Sequence, residues 1–442
     1  MSNKVKVIGA GLAGCEAAWQ LAKADIDVEL YEMKPKKFTP AHKYKGFAEL
    51  VCSNSLKAER LGSAAGMLKE EMRRLGSLIM ECADISKVSA GGALAVDREK
   101  FSDSVTDRIN SDPHIKVIED EICEIPDGNT IIATGPLTSE ALSESIKTLC
   151  GDHLYFHDAA APIVTFESLD KEKVFFASRY GRGEADYINC AFDKDEYLAF
   201  YNELVNAESA PLKQFEKEHF GKDGFKVYEG CMPIEVLAKR GEDTMRFGPL
   251  KPVGITDPRT GKRPYAVVQL RAENSQGTLY NIVGFQTNLK FGEQKRVFSM
   301  IPGLENAEFM RYGVMHRNTF INSPKLLTEY FNMRDRDDLF FAGQITGVEG
   351  YIESASSGIM AGLNMARKLN GKQMISLPAT TMIGALSKYI SDPTVGKFQP
   401  MGCNMGILPE YPERIKDKQM KYEALAQRGL DDLDRLLASL DT

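Results

Sequence analysis

The chain has 442 residues, which at roughly 150 residues per domain gives two or three domains and ample length for a buried core. Its 43% hydrophobic and 26% charged content exclude a disordered, collagen-like or coiled-coil chain, and no apolar run reaches the ~18 residues of a membrane-spanning helix. A net charge of −7 and a sequence pI of about 5.6 exclude a globally basic nucleic-acid-binding domain, though not a local basic patch.

Residues 4–8, Lys-Val-Lys-Val-Ile, read as a short buried strand, entered directly from Met1-Ser2-Asn3 without a signal-peptide layout. Gly9-Ala10-Gly11-Leu12-Ala13-Gly14 follows, then a helix-like run from Cys15 to Ala24. A second strand, Val28 to Tyr31, ends at Glu32. The stretch 34–62 is turn-rich and basic. Residues 64–75 and 97–109 read as helices, and Lys116 to Ile118 and Thr130 to Ala133 as strands, the latter closing on Gly135. From about residue 160 the texture changes to Tyr, Phe, Gly and Pro, with strand-like runs at Tyr265–Leu270 and Tyr280–Phe285. Asp338 to Gly343 is again a strand ending in glycine, followed by a small-residue helix from Ser354 to Leu369. The tail from Glu413 to Leu440 is helix-like, with an interruption expected near Gly429.

The expected fold class is therefore α/β, a Rossmann-like FAD-binding domain split by an inserted α+β domain. The limits are set at 1–185 and 321–442 for the two parts of the first domain and 186–320 for the insert.

The glycine turn carries the first chemistry. Gly9 permits the tight turn, Gly11 clears the approach of a pyrophosphate, and Gly14 lets helix and strand pack closely. The helix N-terminus offers N–H groups to phosphate. Glu32, 18 residues beyond Gly14, is placed to accept hydrogen bonds from a ribose diol. A lone G-x-G-x-x-G is weak evidence, but here the strand, helix and acid stand in their expected places. The split domain and the second glycine strand at Gly343-Gln344 favour FAD over NAD. The cofactor residues are thus Gly9, Ala10, Gly11, Leu12, Ala13, Gly14, Glu32, Gly135, Gly343 and Gln344.

Eight cysteines are spread so that no two lie within 26 residues of one another, leaving no CxxC pair and no expected metal site. Sparse thiols and no secretion signal place the chain in a reducing cytoplasm. Two of them, Cys52 in Glu49-Leu50-Val51-Cys52-Ser53-Asn54-Ser55-Leu56 and Cys231 before Met232-Pro233, read as lying near helix N-termini, where a thiol is activated. A cysteine is more often a small buried hydrophobe. Basic residues crowd the loop that holds Lys36, Lys37 and Lys43. Others, Arg246, Lys251, Arg259, Lys262, Arg263 and Arg271, dot the insert beside Phe247 and Tyr265 and suit phosphates and bases. His316, Arg317 and Asn318 form a compact polar group in an apolar neighbourhood.

Together these stretches resemble the folate- and FAD-dependent tRNA (uracil-5-)-methyltransferases, the TrmFO family. The matching runs are Val7–Gly14, Glu49–Leu56, Tyr228–Ala238, Arg246–Val253, Tyr265–Arg271, Gly284–Lys290, Met315–Thr319 and Gly343–Ser357. Gly402-Cys403-Asn404-Met405-Gly406 departs from the Asn-Ala-Asn-Phe-Gly-like run of the family. The resemblance implies methylation of uridine C5 in tRNA, with methylenetetrahydrofolate as carbon donor, reduced FAD as hydride source and NAD(P)H as reductant. It implies Cys231 as the nucleophile at uracil C6 and Cys52 as the second thiol, removing the C5 proton or guarding the flavin. His316, Arg317 and Asn318 would line the folate or flavin pocket. Lys36, Lys37, Lys43, Arg246, Lys251 and Arg263 would hold RNA. No membrane or metal partner is implied. The alternatives are the same chemistry on large-subunit rRNA, a GidA-like enzyme of wobble uridine, or a flavin-bearing RNA-binding module without catalysis.

Overall fold

The computed structural model describes residues 4–39, 41–151, 154–159, 161–181, 184–210, 232–273, 277–313, 315–395 and 398–440, with backbone alone at 154–159 and 315–319. Val5–Ile8 (β1) runs through Gly9 into the helix Leu12–Ala22 (α1), and Val28–Glu32 (β2) returns beside β1. These strands belong to a five-stranded parallel sheet in the order Leu339–Phe341, Thr130–Ile132, β1, β2, Ile115–Glu119. Parallel strands covered by helices on their faces are buried, which is why Val5, Val7, Leu30, Ile131 and Phe340 are all fully enclosed.

The consequence for function lies at one edge. Gly9, Glu32, Gly135 and Gly343 stand at or just beyond the carboxyl ends of four of these strands. Open parallel sheets take their ligands at that edge. The helix Tyr351–Leu369 packs on α1 through glycines. A Cβ on Gly358 would meet Ala13 O at 2.1 Å, and one on Gly362 would meet Ala17 O at 2.6 Å.

The second sheet is six-stranded and antiparallel, in the order Val174–Phe176, Tyr187–Phe192, Ala266–Ala272, Leu279–Ile282, Ile163–Thr165, Phe309–Arg311. Its first strand in the chain therefore begins at Ile163, ahead of residue 186. One face is covered by the helices Lys194–Asn206, Ile234–Ala238 and Phe291–Phe298, around a core holding Phe192, Phe200, Phe285 and Phe298. Arg271, Asn281, Ile163 and Arg311 form one row across four strands of this sheet. The two domains are joined by an antiparallel ribbon of Leu154–Ala159 and Met315–Phe320, so the chain enters and leaves the insert side by side.

The tail corrects one expectation. Lys418–Leu440 is a single helix without a break. Gly429 lies where a Cβ would meet Met67 Cε at 2.3 Å and Thr380 O at 2.5 Å, so glycine there serves close packing. No helix among the described residues is long and apolar enough to cross a membrane.

Candidate dinucleotide and thiol site

A cleft opens at the carboxyl edge of the parallel sheet. Gly9, Ala10, Gly11, Leu12, Ala13, Glu32, Gly135, Gln344, Tyr351 and Ser354 all line it. The three turn glycines do different things. Gly9 has φ +98°, and a Cβ there would meet Ala133 O at 2.8 Å. A Cβ on Gly14 would lie 1.8 Å from Gly9 O, so this residue sets the helix–turn contact and stays outside the cleft lining. Gly11 has nothing within 4 Å of its Cβ position, which leaves its backbone open to the cleft. It is also the N-cap of α1, with no side-chain cap and no acid in the first turn. Unsatisfied helix N–H groups beside such a space suit a pyrophosphate.

Glu32 is buried at the far side of the same turn. Its carboxylate accepts the Ala10 N–H at 2.9 Å and the Lys34 N–H at 3.0 Å. Each carboxylate oxygen retains a lone pair, enough to receive a ribose diol. Gly343 donates its N–H to Ser357 Oγ at 2.6 Å, and the Gln344 side chain donates to Glu349 at 2.5 Å. The open Gly11, the uncapped helix and the buried acid fit an adenine dinucleotide.

Cys52 follows Val51 in the chain, and Val51 and Tyr351 both line the cleft. It does not start a helix, contrary to the reading from its capping neighbours. Ser53 and Asn54 lead into the strand Ser55–Ala58, because Ser53 Oγ accepts the Ser55 N–H and the Asn54 amide bonds Val96 O and Ala272 O. A helix N-terminus reaches the thiol from elsewhere. Tyr351 opens the helix Tyr351–Leu369, and its hydroxyl accepts the Cys52 N–H at 2.8 Å and lies 2.9 Å from Cys52 Sγ. With a second N–H, from Ser53, at 3.3 Å, the hydroxyl proton is left to point at the sulfur. Burial, then the Cys52 charge, pushes the Tyr351 phenol well above its ordinary range, so it stays a donor.

Three arginines grip this loop from both domains. Arg98 donates to Leu50 O at 2.6 Å and is paired with Glu273 of the insert at 2.5 Å. Arg311 donates to Val51 O at 2.5 Å. Arg271 donates to Ser53 Oγ at 2.7 Å and Asn54 Oδ1 at 3.0 Å. Burial works against the Arg98 charge, and Glu273, Tyr351 and Cys52 together hold it above the usual value. Burial, then Arg98, lowers Arg311, with Cys52 among the groups opposing the shift. The attraction is mutual, so both cations favour a thiolate at Cys52. Arg271, read from sequence as a surface cation, is buried in this seam.

The strand after Cys52 is tied down as well. Lys57 pairs with the fully buried Glu353 at 2.5 Å, and Glu353 also accepts the Cys403 N–H at 2.9 Å. The unusual 402–406 segment thus backs the Cys52 loop. Burial, followed by Glu353, pushes the Cys403 thiol far up, which leaves it inert.

The remaining expected residues fall in three places. Cys231 lies outside the described residues; Pro233 caps the short helix Ile234–Ala238, and the Ile234 N–H donates to Gln286 O at 2.7 Å. His316, Arg317 and Asn318 lie in the crossover ribbon opposite Asp158, His157 and Phe156, and this strand runs against the Gly135–Leu137 turn of the cleft. Lys36 and Lys37 sit at the cleft rim, where Lys36 is 3.9 Å from Asp120 and Lys37 is 2.6 Å from Glu121. The Lys43 N–H donates to Glu49 at 2.9 Å. Arg246 stacks on Tyr265 at 3.6 Å from the ring centre and pairs with Asp243. Lys251 and Arg263 are exposed, and Arg246 and Arg263 line a second, open cleft with Lys194 and Lys262. Tyr351, Arg98 and Arg311 were missed from sequence. Only the first had a local sign, the Gly350 before it at the start of a small-residue helix. Among the described residues no group of three or more His, Cys, Asp or Glu side chains is arranged to hold a metal.

Comparison with known proteins agrees with this geometry. Residues 4–373 match the family model described as glucose inhibited division protein A. The methylenetetrahydrofolate--tRNA-(uracil-5-)-methyltransferase TrmFO of Brevibacillus brevis is 60% identical over 428 residues, 97% of this chain and 96% of that one. The protein of the same name from Enterococcus faecalis is 58% identical over 442 residues, 100% of both chains. Among solved structures, Aquifex aeolicus GidA superposes with a TM-score of 0.68 at 17% identity, over 99% of this chain and 76% of that one, which establishes a shared fold.

Proposed function

The chain belongs to the family of methylenetetrahydrofolate-dependent tRNA (uracil-5-)-methyltransferases, and on that footing we propose that it methylates C5 of the T-loop uridine of tRNA in the cytoplasm. The carbon comes from methylenetetrahydrofolate, and NAD(P)H is the terminal reductant. Bound reduced FAD supplies the hydride that takes a methylene-level carbon to methyl. Relatives at this identity are named for tRNA, and neither the rRNA nor the wobble-uridine alternative finds support among them.

The chain's own groups then divide the work. The Gly11 backbone, the N-terminus of α1 and Glu32 would hold the dinucleotide by its pyrophosphate and ribose. Gly135, Gly343 and Gln344 would flank it, and His316, Arg317 and Asn318, in the ribbon, are assigned to the folate. The Cys231 thiolate adds to uracil C6, and the C5–C6 π pair moves onto C5, which makes that carbon a nucleophile. Once C5 carries the new carbon, Cys52 takes the C5 proton. The released pair re-forms the double bond and expels the Cys231 thiolate. The Tyr351 hydroxyl would aim Cys52 for that step, and the Arg98 and Arg311 guanidiniums would hold its loop in place. Lys36, Lys37, Lys43, Arg246, Lys251 and Arg263 would meet RNA phosphates, and the exposed surface pairs of Lys36 and Lys37 are weak enough to open.

The observation that carries this reading is one cleft lined both by the open glycine turn and by Val51 and Tyr351, the neighbours of Cys52 in a loop held by both domains. Purified protein supplied with methylene-labelled tetrahydrofolate, NADPH and unmodified tRNA transcript should place label on the T-loop uridine. Label in a large-subunit rRNA fragment alone, or in neither RNA from flavin-loaded protein, would contradict it.

A further inference from the structure

The inserted sheet ends in a stack of three rings that nothing in the chemistry above uses. Phe309, in the edge strand Phe309–Arg311, lies 5.3 Å from Tyr312 with planes 8° apart. Tyr312 lies 5.0 Å from Phe291 with planes 17° apart. Phe309 packs against the core of the insert, whereas Phe291 is 56% exposed. The stack therefore starts in the core and ends in water. Phe291 opens the helix Phe291–Phe298, which is anchored by the buried Val297 and Phe298 at its other end. One face of the Phe291 ring packs on Tyr312 and more than half of its surface stays in water.

Its location ties it to the site. Tyr312 follows Arg311, whose guanidinium holds the carbonyl next to Cys52. Phe291 follows Lys290, whose N–H donates to Glu208 O. In the same turn, Asn288 O accepts the Ala210 N–H and Gln286 O accepts the Ile234 N–H, so both described flanks of the 211–231 stretch are anchored there. The rings thus bridge the strand that grips Cys52 and the turn that anchors Ile234, three positions after Cys231 in the chain.

Two of the three cations next to the rings are already paired with carboxylates. Lys290 is paired with Glu208, and Arg296 with Glu203 and Glu293. Lys295, one turn along the same helix as Phe291, and Lys194, Lys262 and Arg263, at the other edge of the sheet, have no ion-pair partner among the described residues. An aromatic stack whose neighbouring cations Lys290 and Arg296 are paired takes a planar group, and the single cation Lys295 does not make a phosphate site. We infer that Phe291, Tyr312 and Phe309 form a stacking platform for unpaired bases of the RNA substrate, a fourth rung landing on the exposed face of Phe291. Enzymes that act on a base in folded RNA must splay the loop, and displaced bases stack on aromatic side chains. The inference rests on the RNA reading above.

The test uses flavin-loaded protein and a T-arm hairpin RNA with 2-aminopurine at one unpaired loop position after another. Wild-type protein should quench at least one of these positions on binding. Phe291→Ala should lose that quenching and bind about 5- to 100-fold more weakly, with the salt dependence of binding unchanged. Phe291→Trp should restore both. Arg263→Ala should keep the quenching and lower the salt slope by about 1. Equal affinity and equal quenching in Phe291→Ala and Phe291→Leu, against a wild-type protein that binds the hairpin, would overturn the platform alone. A wild-type protein that fails to bind the hairpin would overturn the RNA reading, and the platform with it.

Discussion

The parallel-sheet half and the insert offer a ligand different parts of the chain. In the first, the contacts are backbone: the N-terminus of α1, the open Gly11 and the turn that Glu32 braces through the Ala10 and Lys34 N–H groups. In the second they are side chains: the rings of Phe309, Tyr312 and Phe291 and the cations of the second cleft, while Arg271 and Arg311, in one row, hold the Cys52 loop. A backbone site needs particular residues only where a Cβ would intrude, so it leaves a fixed glycine spacing in the sequence. A side-chain site depends on which residues an antiparallel register brings side by side, and that is written nowhere in one segment.

Two glycine variants break this contrast most sharply. Gly14→Ala forces a methyl to 1.8 Å from Gly9 O, where only backbone can yield. It should destabilise the protein by on the order of 3 kcal/mol or more in chemical denaturation and lose FAD with it. Gly11→Ala meets no atom within 4 Å, so the apoprotein should unfold normally, with stability unchanged to within about 1 kcal/mol, while FAD retention collapses. Equal effects of the two substitutions on folding would show that Gly11 is structural after all.

On the insert side, Arg311→Met should act through Cys52. Losing a charged hydrogen bond to Val51 O is worth ~1.5–3 kcal/mol, so methylation should slow by about 10- to 100-fold, while FAD content and RNA affinity hold. The alkylation rate of Cys52 should move with pH in the variant, and Arg311→Lys should recover part of the loss. A variant with wild-type turnover and thiol reactivity would detach the edge strand from the site.

How much of this was legible follows the same division. The glycine turn, Glu32, Gly135 and Gly343 could be read directly, because strand, turn and helix are contiguous there. Cys52 was found as a thiol worth notice, but its surroundings were misread. The Ser-Asn-Ser after it resembles a helix cap and instead feeds the strand Ser55–Ala58. Its real partners, Tyr351 and Arg311, lie 299 and 259 positions away. Arg271 looked like any exposed basic residue until the register set it against Ser53 and Asn54. Gly429 reads as a helix breaker, because crowding by Met67 and Thr380 is invisible along the chain.

A smaller effect sharpens the picture of the parallel-sheet half. Glu16 caps the helix Leu78–Ile85 through the Leu78 and Ile79 N–H groups, and Glu71 caps Met382–Ser391 through those of Met382 and Ile383. Burial raises Glu16 to about 7 and Glu71 to about 8, against the N–H donors that pull both down. The folded state therefore holds these protons more tightly than the unfolded chain. Their contribution is favourable at low pH, declines as pH rises from about 4.5, and is lost by about 8. Thermal unfolding of Glu71→Gln should show a weaker decline across that window than wild type. An identical pH profile would mean that Glu71 is already ionised in the folded protein.

The assignment of two thiols to two roles is tested most directly by trapping. A T-arm hairpin with 5-fluorouridine at the target position has no C5 proton to lose once C5 is methylated, so the sulfur–C6 bond persists. Flavin-loaded protein, given methylenetetrahydrofolate and NADPH, should yield an RNA adduct that maps by mass spectrometry to Cys231. The adduct should persist in Cys52→Ala and be absent from Cys231→Ala, which still binds FAD. An adduct on Cys52, or tRNA methylation by Cys231→Ala, would contradict the account.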